Sequence, residues 1–228
     1  GADSMISELL QGNLDWVDQV PWTAIDTLKT KEGIVVNAIR PGPETTNITW
    51  NSNPRKPKNR ELLDPQVKKA LSMCVDRDQM IEVLQSGYGT TVESLVGHIA
   101  GEMENPNLGP LEHDCDAGNQ MLDDLGYKRG SDGIRVAPAT TGQYAQAAHP
   151  MKYEIITPTS TDYNPDRAFD IVQQGFAEAG VEVTQKVGGD TAASYALETD
   201  NNCDGTKNLG YATFDMAMWD WVGYVDPD

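Results

Sequence analysis

The chain is 228 residues long and carries 17 basic against 35 acidic side chains, a formal charge of −18. A field of that sign repels phosphate backbones and anionic lipid, and no basic stripe offsets it, so nucleic acid and anionic membrane surfaces are excluded as partners. Apolar residues make up 39% and nowhere run unbroken for about 18 positions, so no segment reads as a membrane-spanning helix.

The first six residues, Gly1 to Ile6, lack the basic head and apolar core of an export signal; for an exported parent the signal is expected upstream. Met5, Ile6, Leu9 and Leu10 recur at helical spacing and predict a helix that stops at Gly12. Leu14 to Val17 predicts a short strand, Pro21 to Lys29 a second helix, and the β-branched run from Gly33 to Ile39 another strand. Thr46 to Asn51 alternates and predicts a strand ending at Trp50 and Asn51, before a loop from Asn53 to Pro57.

Asp64 followed by Pro65 has the form of an N-cap and first helical position, and Val67, Ala70, Leu71 and Cys74 form the buried stripe of the helix they open. Asp78 to Gln85 carries Met80, Ile81, Val83 and Leu84 to a stop at Ser86 and Gly87. Asp116 to Leu125 predicts a helix ending at Gly126 and Tyr127, with Lys128 to Ser131 as a surface turn. Ala137 to Pro150 has little periodicity and predicts a flexible loop, and Tyr153 to Thr157 a strand. The longest helix is expected over Asn164 to Ala179, with Ala168, Ile171, Val172, Gly175 and Phe176 inward and Gly180 as its stop. Val181 to Val187 alternates as a strand, Ala192 to Leu197 predicts a short helix, and Thr199 to Gly210 a polar loop. This alternation of helix and strand is the signature of an open α/β sheet.

The last fifteen residues, Phe214 to Asp228, form an aromatic-rich strand running into a turn. Alternation puts Asp215, Ala217, Trp219 and Trp221 on one face, and Phe214, Met216, Met218 and Asp220 on the other. Asp226 and Pro227 have the form of another helix opening.

Catalytic and metal chemistry find no support. His98, His113 and His149 are scattered, with no pair spaced to share one face, and no nucleophile elbow or phosphate-binding loop is present. Asp200 to Gly205 loosely resembles a calcium loop, but Tyr211 stands where the bidentate glutamate is required. No cofactor motif is found. Cys74 reads as a buried small hydrophobe, whereas Cys115 and Cys203 lie in polar sequence and are the candidates for a disulfide outside the cytoplasm, the alternative being that both stay free.

Several of these segments together resemble the family 5 extracellular solute-binding proteins, the dipeptide-, oligopeptide- and nickel-binding receptors of ABC importers. The order Leu9 to Asp15 with Val20 and Pro21, then Trp50 and Asn51 with Asn53 to Pro57, is similar to the family's. So is the stretch from Asp64 through Val67, Ala70 and Leu71 to Asp76, Arg77 and Gly87, in which Lys68 replaces the usual arginine. Gly126 and Tyr127 followed by Asp132 to Arg135 resembles a further family stretch, and Trp221 with Asp226 to Asp228 falls on the family's tryptophan and Asp-Pro-Asp triplet.

The resemblance implies a periplasmic-binding-protein-like α/β lobe (type II, cluster C), with a mixed open sheet flanked by helices. It implies that residues 1–228 are the second lobe of a two-lobed receptor, the first lobe and the C-terminal end lying elsewhere. The implied function is capture of a peptide or similar small solute outside the membrane and delivery to an ABC permease, without catalysis, in the periplasm or at the outer cell surface. A lipid anchor would lie outside this stretch. A ligand sensor on the same fold, or nickel, haem or sugar binding, are the alternatives. The family tryptophan lines the ligand cleft, which makes Trp221 the leading ligand contact, with Trp219, Val222, Gly223, Tyr224 and Asp226 around it. The family's peptide binders carry an aspartate where this chain has Tyr224, and a phenol does not neutralise an ammonium. Either Asp226 takes that role, or the ligand is not a standard peptide with a free amino end.

Overall fold

The computed structural model describes residues 2–18, 20–37, 44–92, 94, 105, 107–109, 111–159, 164–188 and 214–222. Four of its helices start at a short polar side chain that accepts a hydrogen bond from an otherwise unpaired backbone N–H. Asp64 caps α3 (Pro65–Met73), Asp76 caps α4 (Arg77–Gln85), Asp114 caps α5 (Cys115–Asp124) and Asn164 caps α6 (Pro165–Glu178). Pro65 and Pro165 occupy the first helical positions, where a missing N–H costs nothing. Two further helices, α1 (Ala2–Leu10) and α2 (Trp22–Lys29), precede them, and the first unwinds at Gly12, whose φ of 77° suits a residue without Cβ.

Among the described residues the main sheet has four strands in the order β1 (Glu44–Trp50), β7 (Met216–Val222), β5 (Lys152–Thr157), β6 (Glu182–Val187). β5 runs parallel to both β6 and β7, while β1 pairs antiparallel with β7 over its full length. The crossover from β5 to β6 is α6, which lays Ala168, Val172 and Phe176 into one core with Tyr153, Ile155, Val183, Met216 and Met218. The opposite face carries a smaller cluster of Ile156, Phe214 and Ala217, against which Trp219 packs. The registry of Ile155 with Met216 and Ile156 with Ala217 gives each pair its face.

α3 ends in a clasp. A Cβ on Gly118 of α5 would stand 2.5 Å from the Ala70 carbonyl oxygen, and one on Gly175 of α6 only 1.9 Å from that of Cys74. Both helices approach α3 closely because those positions are glycine. Cys74 and Cys115 form a disulfide at the same junction. The expected pairing of Cys115 with Cys203 is therefore corrected: α5 brings its first residue to the end of α3, although 41 positions separate the two cysteines. Cys203 lies outside the described residues.

Beneath the clasp, Arg135 is almost fully buried and binds five groups. It donates to the Asp123 and Asn119 side chains and to the carbonyls of Tyr127, Asn119 and Ala179. One planar guanidinium thus satisfies the ends of both α5 and α6.

The structure corrects other expectations. Leu14–Val17 and residues 33–37 are not strands, and Trp16 and Val35 stand 75% and 81% exposed. β-branched residues make a strand only where a partner and a buried face are supplied, and neither segment has them among the described residues. Ile39 and the segments 192–197 and 199–210 lie outside the described residues. The stretch from Ala137 to Pro150 is ordered: a small antiparallel sheet of β2 (Lys128–Arg129), β3 (Arg135–Ala137) and β4 (His149–Pro150) brackets a bridge between Thr140 and Gln146. Lys128 and Arg129, read as a turn, are its first strand.

Candidate functional site

In an open α/β sheet, ligand crevices form beyond the carboxyl ends of the strands, where consecutive connections leave in opposite directions. Here that point lies between β5 and β7: α6 carries the chain from β5 to β6 on one side, and β7 then returns on the other side of β5. Burial along β7 falls toward this end. Phe214 to Met218 are buried, while Trp219 and Asp220 are half-buried.

Trp219 packs beside Ile156, Phe214 and Ala217, and Trp221 and Val222 close the strand opposite Thr45 and Glu44. Gly223, Tyr224 and Asp226 lie outside the described residues. Asp220 is held from β1, its Oδ1 accepting a hydrogen bond from the Thr46 hydroxyl at 2.7 Å.

The root of β7 is anchored by a buried polar network that the sequence reading missed. Lys56 Nζ lies 2.6 Å from Asp215 Oδ1 and also donates to the Phe214 carbonyl at 2.6 Å. Asp215 Oδ2 accepts from the Asn59 amide at 3.0 Å and from the Glu154 backbone N–H at 3.1 Å. Asn51 adds a bond from its side chain to the Phe214 carbonyl at 2.8 Å. Burial pulls the Lys56 ammonium below its ordinary range, and the Asp215 carboxylate opposes that pull. Lys56 sits in a proline-flanked loop; the available signal was an aspartate just before the aromatic-rich strand.

A cavity of about 460 Å³ runs beside β1, lined by Thr45 to Trp50, by Val75, Arg77 and Met80, and by Met218. It lies on the core side of the sheet, where Trp50 stacks on Phe176 with ring centroids 6.1 Å apart. Arg77 is committed there to the carbonyls of Ser72 and Leu111. Among the described residues no cluster of three His, Cys, Asp or Glu side chains is placed to hold a metal ion.

Residues 1–228 match the family model described as bacterial extracellular solute-binding proteins, family 5 Middle. No curated protein matches the chain. Among solved structures, lactococcal OppA complexed with an endogenous peptide in the closed conformation is 16% identical, with a TM-score of 0.71 over 99% of this chain and 41% of that one. The oligopeptide-binding protein AppA from Bacillus subtilis in complex with a nonapeptide is 19% identical, with a TM-score of 0.67 over 100% of this chain and 40% of that one. NikA from Brucella suis in complex with Fe(III)-EDTA is 19% identical, with a TM-score of 0.69 over 100% and 41%. The chain thus spans about two-fifths of the length of these structures.

Proposed function

We infer, from the premise that this chain belongs to the family 5 bacterial extracellular solute-binding proteins, that it is one lobe of the substrate receptor of an ABC importer. The lobe takes a peptide or similar small solute outside the cytoplasmic membrane, and the parent hands it to a permease; nothing is made or broken. The ligand surface is the carboxyl end of β7 at the switch point of the sheet, with Trp219 and Trp221 as its aromatic contacts and Val222, Gly223, Tyr224 and Asp226 beside them. The observation that carries this reading is the geometry of β7: a strand locked at its root by Lys56 and Asp215 and losing burial toward its tryptophan end. Tryptophan suits such a position because it offers a rigid apolar surface with one donor.

The Cys74–Cys115 disulfide fits an oxidising compartment and so supports an extracytoplasmic location. Solved relatives that hold peptides point to peptide as the first ligand class to test. Closure of two lobes on the solute would be a hinge motion.

Calorimetry on the full-length parent with short peptides tests the site. Trp221→Ala is expected to weaken binding at least about tenfold, the loss of a stacked aromatic contact of about 1.4 kcal/mol or more. Unchanged affinity in both Trp219→Ala and Trp221→Ala would refute the assignment. The 228-residue chain alone is expected to bind no peptide measurably, since half the pocket is elsewhere, and tight binding by it would overturn the half-pocket reading.

A further inference from the structure

Each residue of β1 stands directly opposite one on β7, and this register sorts its side chains into two rows. Ile48 and Trp50 pair with Met218 and Met216 and pack into the main core. Thr45, Asn47 and Thr49 therefore share the other face, opposite Trp221, Trp219 and Ala217. Ala217 and Trp219 belong to the smaller cluster on that face. Directly opposed side chains have Cβ atoms about 5 Å apart, so Asn47 is the cross-strand neighbour of Trp219.

This row carries no charge. Among the described residues β1 is an edge of the main sheet, where charged side chains commonly block pairing with another chain. Thr45 to Trp50 holds no charged residue, in a chain where 23% of residues are charged. A neutral polar row beside a tryptophan suits a neutral polar ligand, whose apolar faces meet the ring and whose oxygens meet the row. A charged group enclosed there would need a counter-charge that the row does not supply.

Asn47 has the chemistry for such a contact. Its Oδ1 accepts the Thr49 hydroxyl at 2.9 Å, which occupies the amide oxygen and sets the orientation of the carboxamide. Asn47 is half-buried, and its two N–H donors on Nδ2 have no acceptor among the described residues. In open water such a donor gains little from a ligand. Where lobe closure excludes water, the same bond is electrostatically stronger.

We propose that Asn47 is a specificity-determining contact, donating through Nδ2 to a neutral acceptor oxygen of the ligand, with Thr49 as the residue that positions it. The acceptor is a peptide carbonyl or a sugar hydroxyl, held beside Trp219. The inference rests on the reading of the β7 end as the ligand surface, and adds the chemical class of the group recognised there.

Calorimetry on the full-length parent, with tri- to pentapeptides and separately with neutral disaccharides, tells the two sources apart. Asn47→Ala removes the donor and is expected to weaken binding about three- to tenfold, the range of one neutral hydrogen bond. Asn47→Asp keeps the shape but faces the ligand oxygen with another acceptor, and should weaken binding at least about tenfold. Thr49→Val should lose part of the affinity and Thr49→Ser should keep it; a role in strand packing alone would favour valine. Thermal unfolding is expected to be unchanged in all four, as for other substitutions on a half-exposed edge. If Trp219→Ala weakens binding while both Asn47 variants bind like the wild type, the proposal is overturned and the ligand surface stands. If neither Trp219→Ala nor Trp221→Ala changes affinity, the ligand surface falls and this contact falls with it. Failure of the full-length wild type to bind either class would also overturn the proposal.

Discussion

Lys56 and Asp215 face each other at 2.6 Å with neither side chain open to solvent, one from a proline-flanked loop and the other from the position just before β7. Removing one partner strands the other charge, which is costlier than never having had the pair. Lys56→Met is expected to destabilise the chain by about 3–5 kcal/mol, with Asp215 left to Asn59 and the Glu154 N–H. Urea denaturation of Lys56→Met and of the double variant with Asp215→Leu checks this, the double variant recovering much of the loss.

The disulfide closes a loop between residues 41 positions apart and ties α3 to α5. Chain-entropy arguments assign such a loop about 4 kcal/mol. Thermal unfolding with and without a thiol reductant, and of the Cys74→Ala/Cys115→Ala variant, is expected to show a matching drop in Tm.

Gly175→Ala would place a methyl group 1.9 Å from the Cys74 carbonyl oxygen and 2.8 Å from its carbon. Both are backbone atoms, so α6 must move away from α3. The expected loss is at or above the upper end of the roughly 1–3 kcal/mol typical of overpacking, despite the better helix propensity of alanine. Equilibrium denaturation measures it.

Tyr127 and Tyr153 are held above the ordinary phenol range by burial and then by the Glu61 carboxylate. The folded chain therefore keeps protons that the unfolded chain releases above about pH 10, so their contribution is complete below that pH and lost above it. Stability should fall steeply in the alkaline range, with tyrosinate absorbance at these two positions rising only on unfolding. Tyr127→Phe should flatten the fall.

Local chemistry was the legible part of the fold. The cap Asp64, the stripe Val67, Ala70, Leu71 and Cys74, and the inward face of α6 all appear where spacing placed them, because a helix start and an amphipathic face are encoded within a few residues. Residues 33–37 misled, since β-branched side chains favour a strand only beside a partner. Ala137 to Pro150 misled in the other direction: its order comes from β3, from the Thr140–Gln146 bridge and from docking on the turn at Arg60, none of it periodic.

Of the candidate site, the aromatic strand was legible and its anchor was not. Trp219 and Trp221 stand out in the chain as a pattern, whereas Lys56 looks like any loop lysine until the fold buries it against Asp215. The sequence by itself determined the described helices, the Asp64 cap, the α/β alternation and the family. Only the tertiary structure decided that Cys74 pairs with Cys115, that Arg135 joins two helix ends and that Glu61 meets His149. The physical reason is distance: periodicity and capping act over a few positions, while a disulfide or a buried charge pair depends on which distant segments the packed core brings within a few ångströms.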